Sequence, residues 1–244
     1  MDLQRLLSLT RKAVDDYQMI QPGDVIAVGV SGGKDSLTLL TALNGLKRFY
    51  PHSFELKPIC VDLGFSDGNF DAFQALKDFA NSLDLELTVV PSQIAEVVFD
   101  IRQESNPCSL CAKLRKGAFN TRAKELGCNK IAYAHHKNDF TETLLMSLIF
   151  EGRLSCFSPV SYLDRMNLTL IRPLMYVEEA DIIGYAKAHA LPVMHNPCPA
   201  DGYTRREEMK QMLANLNKEY HGVSERMFGA ILRGNLPGWP HKEV

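Results

Sequence analysis

Val25-Ile26-Ala27-Val28-Gly29-Val30-Ser31-Gly32-Gly33-Lys34-Asp35-Ser36, followed at once by Leu37-Thr38-Leu39-Leu40, decides the fold class. A β-branched run that meets Ser-Gly-Gly and then leucines at helical spacing reads as a buried strand, a tight loop and the first turn of a helix. The first backbone N–H groups of a helix have no intrahelical acceptor, so they point at an anion. Two glycines let phosphate oxygens approach without a Cβ in the way. Lys34 adds a mobile positive charge. Gly-Gly also serves as a plain turn in many α/β folds, so by itself the loop says only that a phosphate-bearing ligand binds at a strand end. The Gly-Lys-Ser/Thr spacing of kinases and GTPases is absent, as is the glycine spacing of dinucleotide folds.

Outward from this stretch, strands and helices alternate. Residues 37–49 are expected to be helical, 56–63 a second strand, 71–83 a helix, 85–90 a third strand, 130–134 a fourth and 168–174 a fifth. That order predicts a doubly wound, mainly parallel five-stranded α/β sheet with helices on both faces, and ligands at the C-terminal strand ends. Residues 2–17 form an amphipathic helix, and further helices are expected near 178–190, from 204 and near 223–232. The apolar pattern of 94–101 is irregular, and 151–167 reads as a mobile connection near the site. The division expected is an N-terminal helix (1–22), an α/β domain with the phosphate loop and the cysteine pair (23–195) and a helical extension carrying the third cysteine (196–244).

The 244 residues, 45% hydrophobic, suffice for a sizeable core, and the net charge of −2 gives no global attraction to nucleic acid. Any RNA contact must be a local patch, and Lys113, Arg115, Lys116, Arg122, Lys124 and Lys130 make 113–130 the candidate, against the alternative of a solvated helix face. No apolar run approaches the roughly 20 residues of a membrane span and the start lacks a signal-peptide pattern, so a cytoplasmic protein is expected.

Six cysteines in a reducing compartment are not expected to form a disulfide framework. Cys108 and Cys111, three apart at a loop-to-helix junction, can face one metal from the same side of a turn. Cys198, between Pro197 and Pro199, is presented from a rigid loop. Three thiolates leave a coordination position open, which marks a reactive site. A redox pair and a four-cysteine zinc site are the competitors; the first would sit after the first strand and the second lacks another pair. Cys60 and Cys128 read as core residues. Adjacent His135 and His136 diverge from a strand and are not expected to chelate.

Ser31 to Ser36 resembles the pyrophosphate loop of the N-type ATP pyrophosphatases, the PP-loop superfamily. With His135 to Asp139, which is similar to that superfamily's His-x-x-Asp-Asp motif, with Arg172-Pro173-Leu174 at a strand end, and with Cys108, Cys111 and Cys198, residues 20–215 resemble the tRNA 2-thiocytidine synthetase family. The resemblance implies an adenine nucleotide alpha hydrolase-like fold and an ATP-dependent tRNA sulfurtransferase. In that family a [4Fe-4S] cluster sits on three cysteines, and ATP activates the C2 carbonyl of an anticodon-loop cytidine. Sulfur then replaces oxygen, with release of pyrophosphate and AMP.

By the same resemblance, Ser31, Gly32, Gly33, Lys34, Asp35 and Ser36 hold the pyrophosphate with Mg²⁺, and Asp62 and Leu63 lie where adenine and ribose are read. His135 and Asp139 face the nucleotide, Arg172 contacts phosphate, and Cys108, Cys111 and Cys198 hold the cluster. Asn138 occupies the first acidic position of the motif, leaving Asp139 the sole carboxylate there. Asp62 as a turn cap and Arg172 paired with a surface carboxylate are the plain alternatives. A sulfur donor such as a cysteine desulfurase, tRNA and a second copy of the chain are the implied partners. The same chemistry on a uridine or a small molecule is the rival within enzymes; a nucleotide-responsive iron-sulfur or zinc RNA-binding protein is the rival outside them.

Overall fold

The computed structural model describes residues 1–65, 70–103, 107–195, 198–199 and 205–239. Six strands form one sheet in the order β3-β2-β1-β4-β6-β5: β1 Asp24–Gly29, β2 Phe54–Val61, β3 Thr88–Val90, β4 Lys130–Ala132, β5 Val160–Leu163 and β6 Leu168–Ile171. All neighbours are parallel except β5, which pairs antiparallel with β6, Val160 opposite Ile171. The sheet therefore has one strand more than the five expected. The extra strand comes from 151–167, read above as a mobile connection; Val160–Leu163 is too short and too amphiphilic to show a period before β6 gives it a partner.

Ile26, Ala27 and Val28 of β1 are fully buried, because helices cover both faces of a parallel sheet; hence the unbroken apolar run. Helix α1 (Leu3–Asp16) starts at Asp2, whose carboxylate accepts the Arg5 N–H at 2.8 Å, a side-chain N-cap. Helix α2 (Lys34–Lys47) buries eight of its fourteen residues and runs through the core. The other helices are α3 (Phe70–Ser82), α4 (Pro107–Glu125), α5 (Lys137–Met146), α6 (Glu179–Ala188), α7 (Arg205–Glu219) and α8 (Val223–Arg233). Short π-helical segments, Glu96–Ile101 and Ser147–Glu151, replace the irregular stretch at 94–101 and the start of the expected connection. Thr204, where one of the helices is expected to start, lies outside the described residues, as does Pro197.

The three expected segments share one core. Leu6, Ala13 and Val14 of α1, Ile26 and Val28 of β1, and Phe228, Ile231, Leu236 and Trp239 near the C-terminal end belong to a single buried cluster. Trp239 meets Tyr17 edge-on at 6.2 Å between ring centres and Phe140 at 6.0 Å.

One member of the expected basic patch turns inward. The Lys130 ammonium lies 2.7 Å from the buried Asp24 carboxylate and donates to the Met19 carbonyl at 2.8 Å; Asn129 donates to the other Asp24 oxygen. A buried charge has to be both paired and hydrogen-bonded, and this one is. The pair locks the starts of the adjacent strands β1 and β4, at the end of the sheet opposite the β1 loop. Lys113, Arg115, Lys116 and Lys124 remain exposed, and Arg122 pairs with Glu125.

Candidate active site

Successive strands build outward from β1 in one direction (β2, β3) and from β4 in the other (β6, β5), so a crevice opens where the chain reverses, beyond the C-terminal ends of β1 and β4. The β1 loop and the start of α2 form one wall. Gly32 has φ +80°, and an added Cβ would meet the Met194 sulfur at 2.5 Å. The Ser36 hydroxyl donates to the Gly33 carbonyl at 2.8 Å and accepts the Ser31 N–H at 3.1 Å, which fixes the loop's curvature. Gly33 is the N-cap and has no side chain to offer, so no side chain caps the first turn of α2. Its amides are left for an anion.

The opposite wall is α5. His136 is its N-cap residue, and its backbone N–H donates to Asp139 Oδ2 at 2.8 Å. Asp139 Oδ1 and Glu142 Oε2 share the Arg206 guanidinium of α7, at 3.1 and 3.3 Å, and Thr143 takes its second nitrogen. Lys34 sits between Asp35 and Glu179, 3.2 Å from each, and Lys210 of α7 reaches Glu179 at 2.8 Å. Three cations thus stand among four carboxylates, drawn from α2, α5, α6 and α7. Asp35 Oδ1 is buried and lacks a hydrogen-bond partner among the described residues, 3.8 Å from His136 Nε2; an orphaned carboxylate oxygen beside an anion loop is chemically suited to a cation. Burial, then the Asp139 charge, push the Glu142 carboxyl up to about 7 against the pull of Arg206. Burial would raise Glu179 as well, but its hydrogen bond from Lys210 and the charges of Lys34 and Lys210 hold it below the ordinary carboxylate range.

His135 and Arg172 are turned toward each other. Arg172 is buried, donates Nε–H to His135 Nδ1 at 3.1 Å, donates to the Ser158 carbonyl, and stacks over Phe157 at 4.9 Å. His135 therefore carries its proton on Nε2. Burial and then the Arg172 charge hold its pKa well below the usual imidazole value, so the ring is neutral, stacked on Phe157 at 4.3 Å. Burial lowers Arg172 to about 10. No surface carboxylate pairs with it among the described residues.

Asp62 follows β2 and accepts the Gly64 N–H at 2.9 Å, while its carbonyl accepts the Ser92 hydroxyl at 2.6 Å. The first caps the turn after β2, and the second ties that turn to the segment after β3. The Leu63 carbonyl accepts from the Ala95 N–H.

Cys108 and Cys111 lie in the first turns of α4, and all six cysteines are without disulfides. Burial raises the Cys111 pKa; Arg115, one turn on, lowers it, and the Cys198 and Cys108 charges raise it further, so the three thiols occupy one electrostatic neighbourhood. Among the described residues no three His, Cys, Asp or Glu side chains are compact enough to hold a single ion. Three thiolates are the donor chemistry that an iron-sulfur cluster takes, each binding its own iron. Residues 191–195, leading to Cys198, are tied to the phosphate loop, since the Met194 N–H donates to the Gly32 carbonyl at 2.9 Å.

Sequence reasoning did not single out Glu142, Glu179, Lys210 or the ion-pairing role of Arg206. Glu142 carries a usable signal, one turn after Asp139 on the same helix face. Glu179 and Lys210 arrive from remote elements and carry none. Asn138 is explained by its partner: its side-chain oxygen accepts the Glu179 N–H at 2.9 Å, satisfying a donor in the first turn of α6.

A parallel sheet with an uncapped helix start at its reversal point defines a nucleotide-handling α/β protein of the PP-loop class, and the PP-loop domain family model matches residues 5–216. A tRNA-cytidine(32) 2-sulfurtransferase from Syntrophotalea carbinolica is 38% identical over 96% of this chain and 89% of its own length. One from Geobacter sulfurreducens is 39% identical over 96% and 90%. The chain belongs to the tRNA-cytidine(32) 2-sulfurtransferase family of PP-loop proteins. The solved U34-tRNA thiolase NcsA from Methanococcus maripaludis, with its [4Fe-4S] cluster, shares the fold at a TM-score of 0.74 and 24% identity, covering 93% of this chain and 77% of that one. No helix among the described residues is long and apolar enough to cross a membrane.

Proposed function

We propose that this chain thiolates a cytidine of tRNA at the expense of ATP: the C2 carbonyl oxygen is adenylated and then replaced by sulfur, with AMP and pyrophosphate as products. The observation that carries this reading is the hydrogen bond between Met194 and Gly32, which ties the strap leading to Cys198 to the phosphate loop. Activation and sulfur delivery need that adjacency.

In the first step the base oxygen attacks the α-phosphorus, and the bond to the bridging oxygen of pyrophosphate breaks. Charge accumulates on the leaving pyrophosphate, where the uncapped amides of α2 and the hydroxyls of Ser31 and Ser36 can receive it. Prearranged donors of this kind supply most of the stabilisation in such transfers. Lys34 is held ready between Asp35 and Glu179 and can pivot to the phosphates. Asp35 and Asp139 are the carboxylates placed to take the Mg²⁺ that accompanies ATP. Arg172 and neutral His135 brace the floor beneath the base. In the second step sulfur adds at C2 and the C2–O bond breaks, so oxygen leaves with AMP. Cys108, Cys111 and Cys198 would hold a [4Fe-4S] cluster, which when bound supplies a thiophilic iron position free of protein ligands. The sulfur enters as sulfide; a donor such as a cysteine desulfurase holds it as a persulfide, so a two-electron reductant has to free it as sulfide before it adds at C2.

Nucleoside mass spectrometry of tRNA from cells with and without the protein tests the reading. Loss of a thiolated cytidine is expected. Loss of a thiolated uridine, or no change, overturns the substrate assignment. ADP instead of AMP and pyrophosphate, on addition of tRNA and ATP, overturns the adenylation step.

A further inference from the structure

The π-helical segment Ser147–Glu151 and the residues after it expose Leu148, Ile149, Phe150 and Leu154, each 40–60% accessible, in a chain whose other large apolar side chains are mostly buried. A contiguous exposed run of this kind marks an interaction surface. Two features of this knuckle identify what it fits. Arg205, the first residue of α7, stacks its guanidinium over the Phe150 ring at 4.5 Å, and Arg153 follows the left-handed Gly152 on the same exposed turn. Planar apolar faces bordered by arginines, neither Arg153 nor Arg205 having a carboxylate partner among the described residues, are complementary to unpaired nucleobases and their phosphates. A second copy of the chain would bring the same arginines against this face.

The knuckle also adjoins the site. Next to Arg205, Arg206 turns the other way, to Asp139 and Glu142. Downstream of Leu154 the chain runs to Phe157, which stacks on His135. The Ser147 hydroxyl donates to the Arg153 carbonyl at 2.8 Å and the Arg153 N–H to the Ser147 carbonyl at 3.1 Å, so the turn is held closed and its outward face is preformed. The π-helical form itself is rare and concentrates at functional sites.

The geometry points to Phe150 and Arg205 as a stacking platform for unpaired nucleotides of the RNA substrate, flanking the base that enters the crevice. This rests on the tRNA reading above. Phe150 supplies a ring face, Arg205 and Arg153 bind phosphate or stack, and Leu148, Ile149 and Leu154 exclude water from the contact.

The test uses the full chain and two RNA probes, a hairpin with an unpaired loop and a blunt duplex of equal length, with affinity measured by fluorescence anisotropy. Phe150→Ala and Arg205→Ala are each expected to weaken hairpin binding by about tenfold or more, as loss of one base stack does. Phe150→Ala should leave duplex binding unchanged, Arg205→Ala should weaken it less than hairpin binding, and ATP affinity should stay put in both, which reports that the variant is folded. Phe150→Leu, which keeps bulk but not the ring, should resemble Phe150→Ala. If the wild type binds the hairpin and all three variants bind it equally well, the platform is wrong and the tRNA reading stands. If the wild type binds neither RNA, the tRNA reading falls and the platform with it. If Phe150→Ala converts a dimer to a monomer in sedimentation without changing hairpin affinity, the knuckle faces a second copy and the platform is overturned.

Discussion

Asn138 and Glu142, one turn apart on α5, show how much the identity of a single side chain decides. Asn138 is the departure from the acidic motif, and its oxygen serves the first turn of α6. Asn138→Ala should therefore lower stability by about 1 kcal/mol, the usual loss for a helix cap, whereas Asn138→Asp, which keeps the acceptor, should lose less; urea denaturation distinguishes them. Glu142 behaves differently because it is ionisable. Its carboxyl holds its proton up to about 7 in the folded chain, against an ordinary value of 4.5. The folded state binds the extra proton between those values, so this group's contribution to stability is greatest below the lower one and falls as pH rises through the interval. Glu142→Gln stays neutral throughout. The stability of that variant relative to wild type should rise across the same interval, and parallel curves would show that Glu142 titrates normally.

At the scale of elements, the loop between β1 and α2 and the strap at 191–195 act as one part. Gly32→Ala forces a left-handed conformation on a residue with a Cβ, at a cost of about 1–2 kcal/mol, and drives that Cβ into Met194. ATP affinity, measured by calorimetry, should fall by about tenfold, since 1.4 kcal/mol corresponds to tenfold. Adding Met194→Ala removes the sulfur and Cγ contacts but leaves the residue-194 Cβ at 3.0 Å and the backbone strain, so recovery should be partial; full recovery would mean that the torsion costs nothing. The strand-loop-helix reading was available in the sequence because its signals are local, from β-branched run to Gly-Gly to leucine spacing. Cys108 and Cys111 were visible for the same reason. The strap's contact with Gly32 joins residues far apart in the chain, and the ion pairs of Glu179 with Lys34 and Lys210 bring together three helices; no periodicity encodes such meetings. β5 was hidden because an edge strand of four residues owes its existence to its neighbour, and Lys130 was miscounted as surface charge because its partner, Asp24, lies more than 100 residues upstream.

For the molecule as a whole, the first and last helices are structural members of the sheet's own core. The expected helical extension at 196–244 contributes Phe228, Ile231, Leu236 and Trp239 to the cluster that also holds α1. Trp239→Ala should cost about 3–5 kcal/mol, the range for deleting a buried aromatic side chain, and lower the thermal midpoint in calorimetry; an unchanged midpoint would mean that the C-terminal end is not seated. Composition indicates a core of this size, while boundaries at 22 and 195 follow motif limits, which carry no information on packing between the ends. Trp239 is also the only tryptophan of the chain. Its indole is wedged between Tyr17 of the first helix and Phe140 of α5, the helix that carries Asp139 and Glu142. The protein thus has a built-in optical gauge: a red shift in its emission reports departure of the C-terminal end from its seat, without any label, while nucleotide or RNA is titrated in the same cuvette.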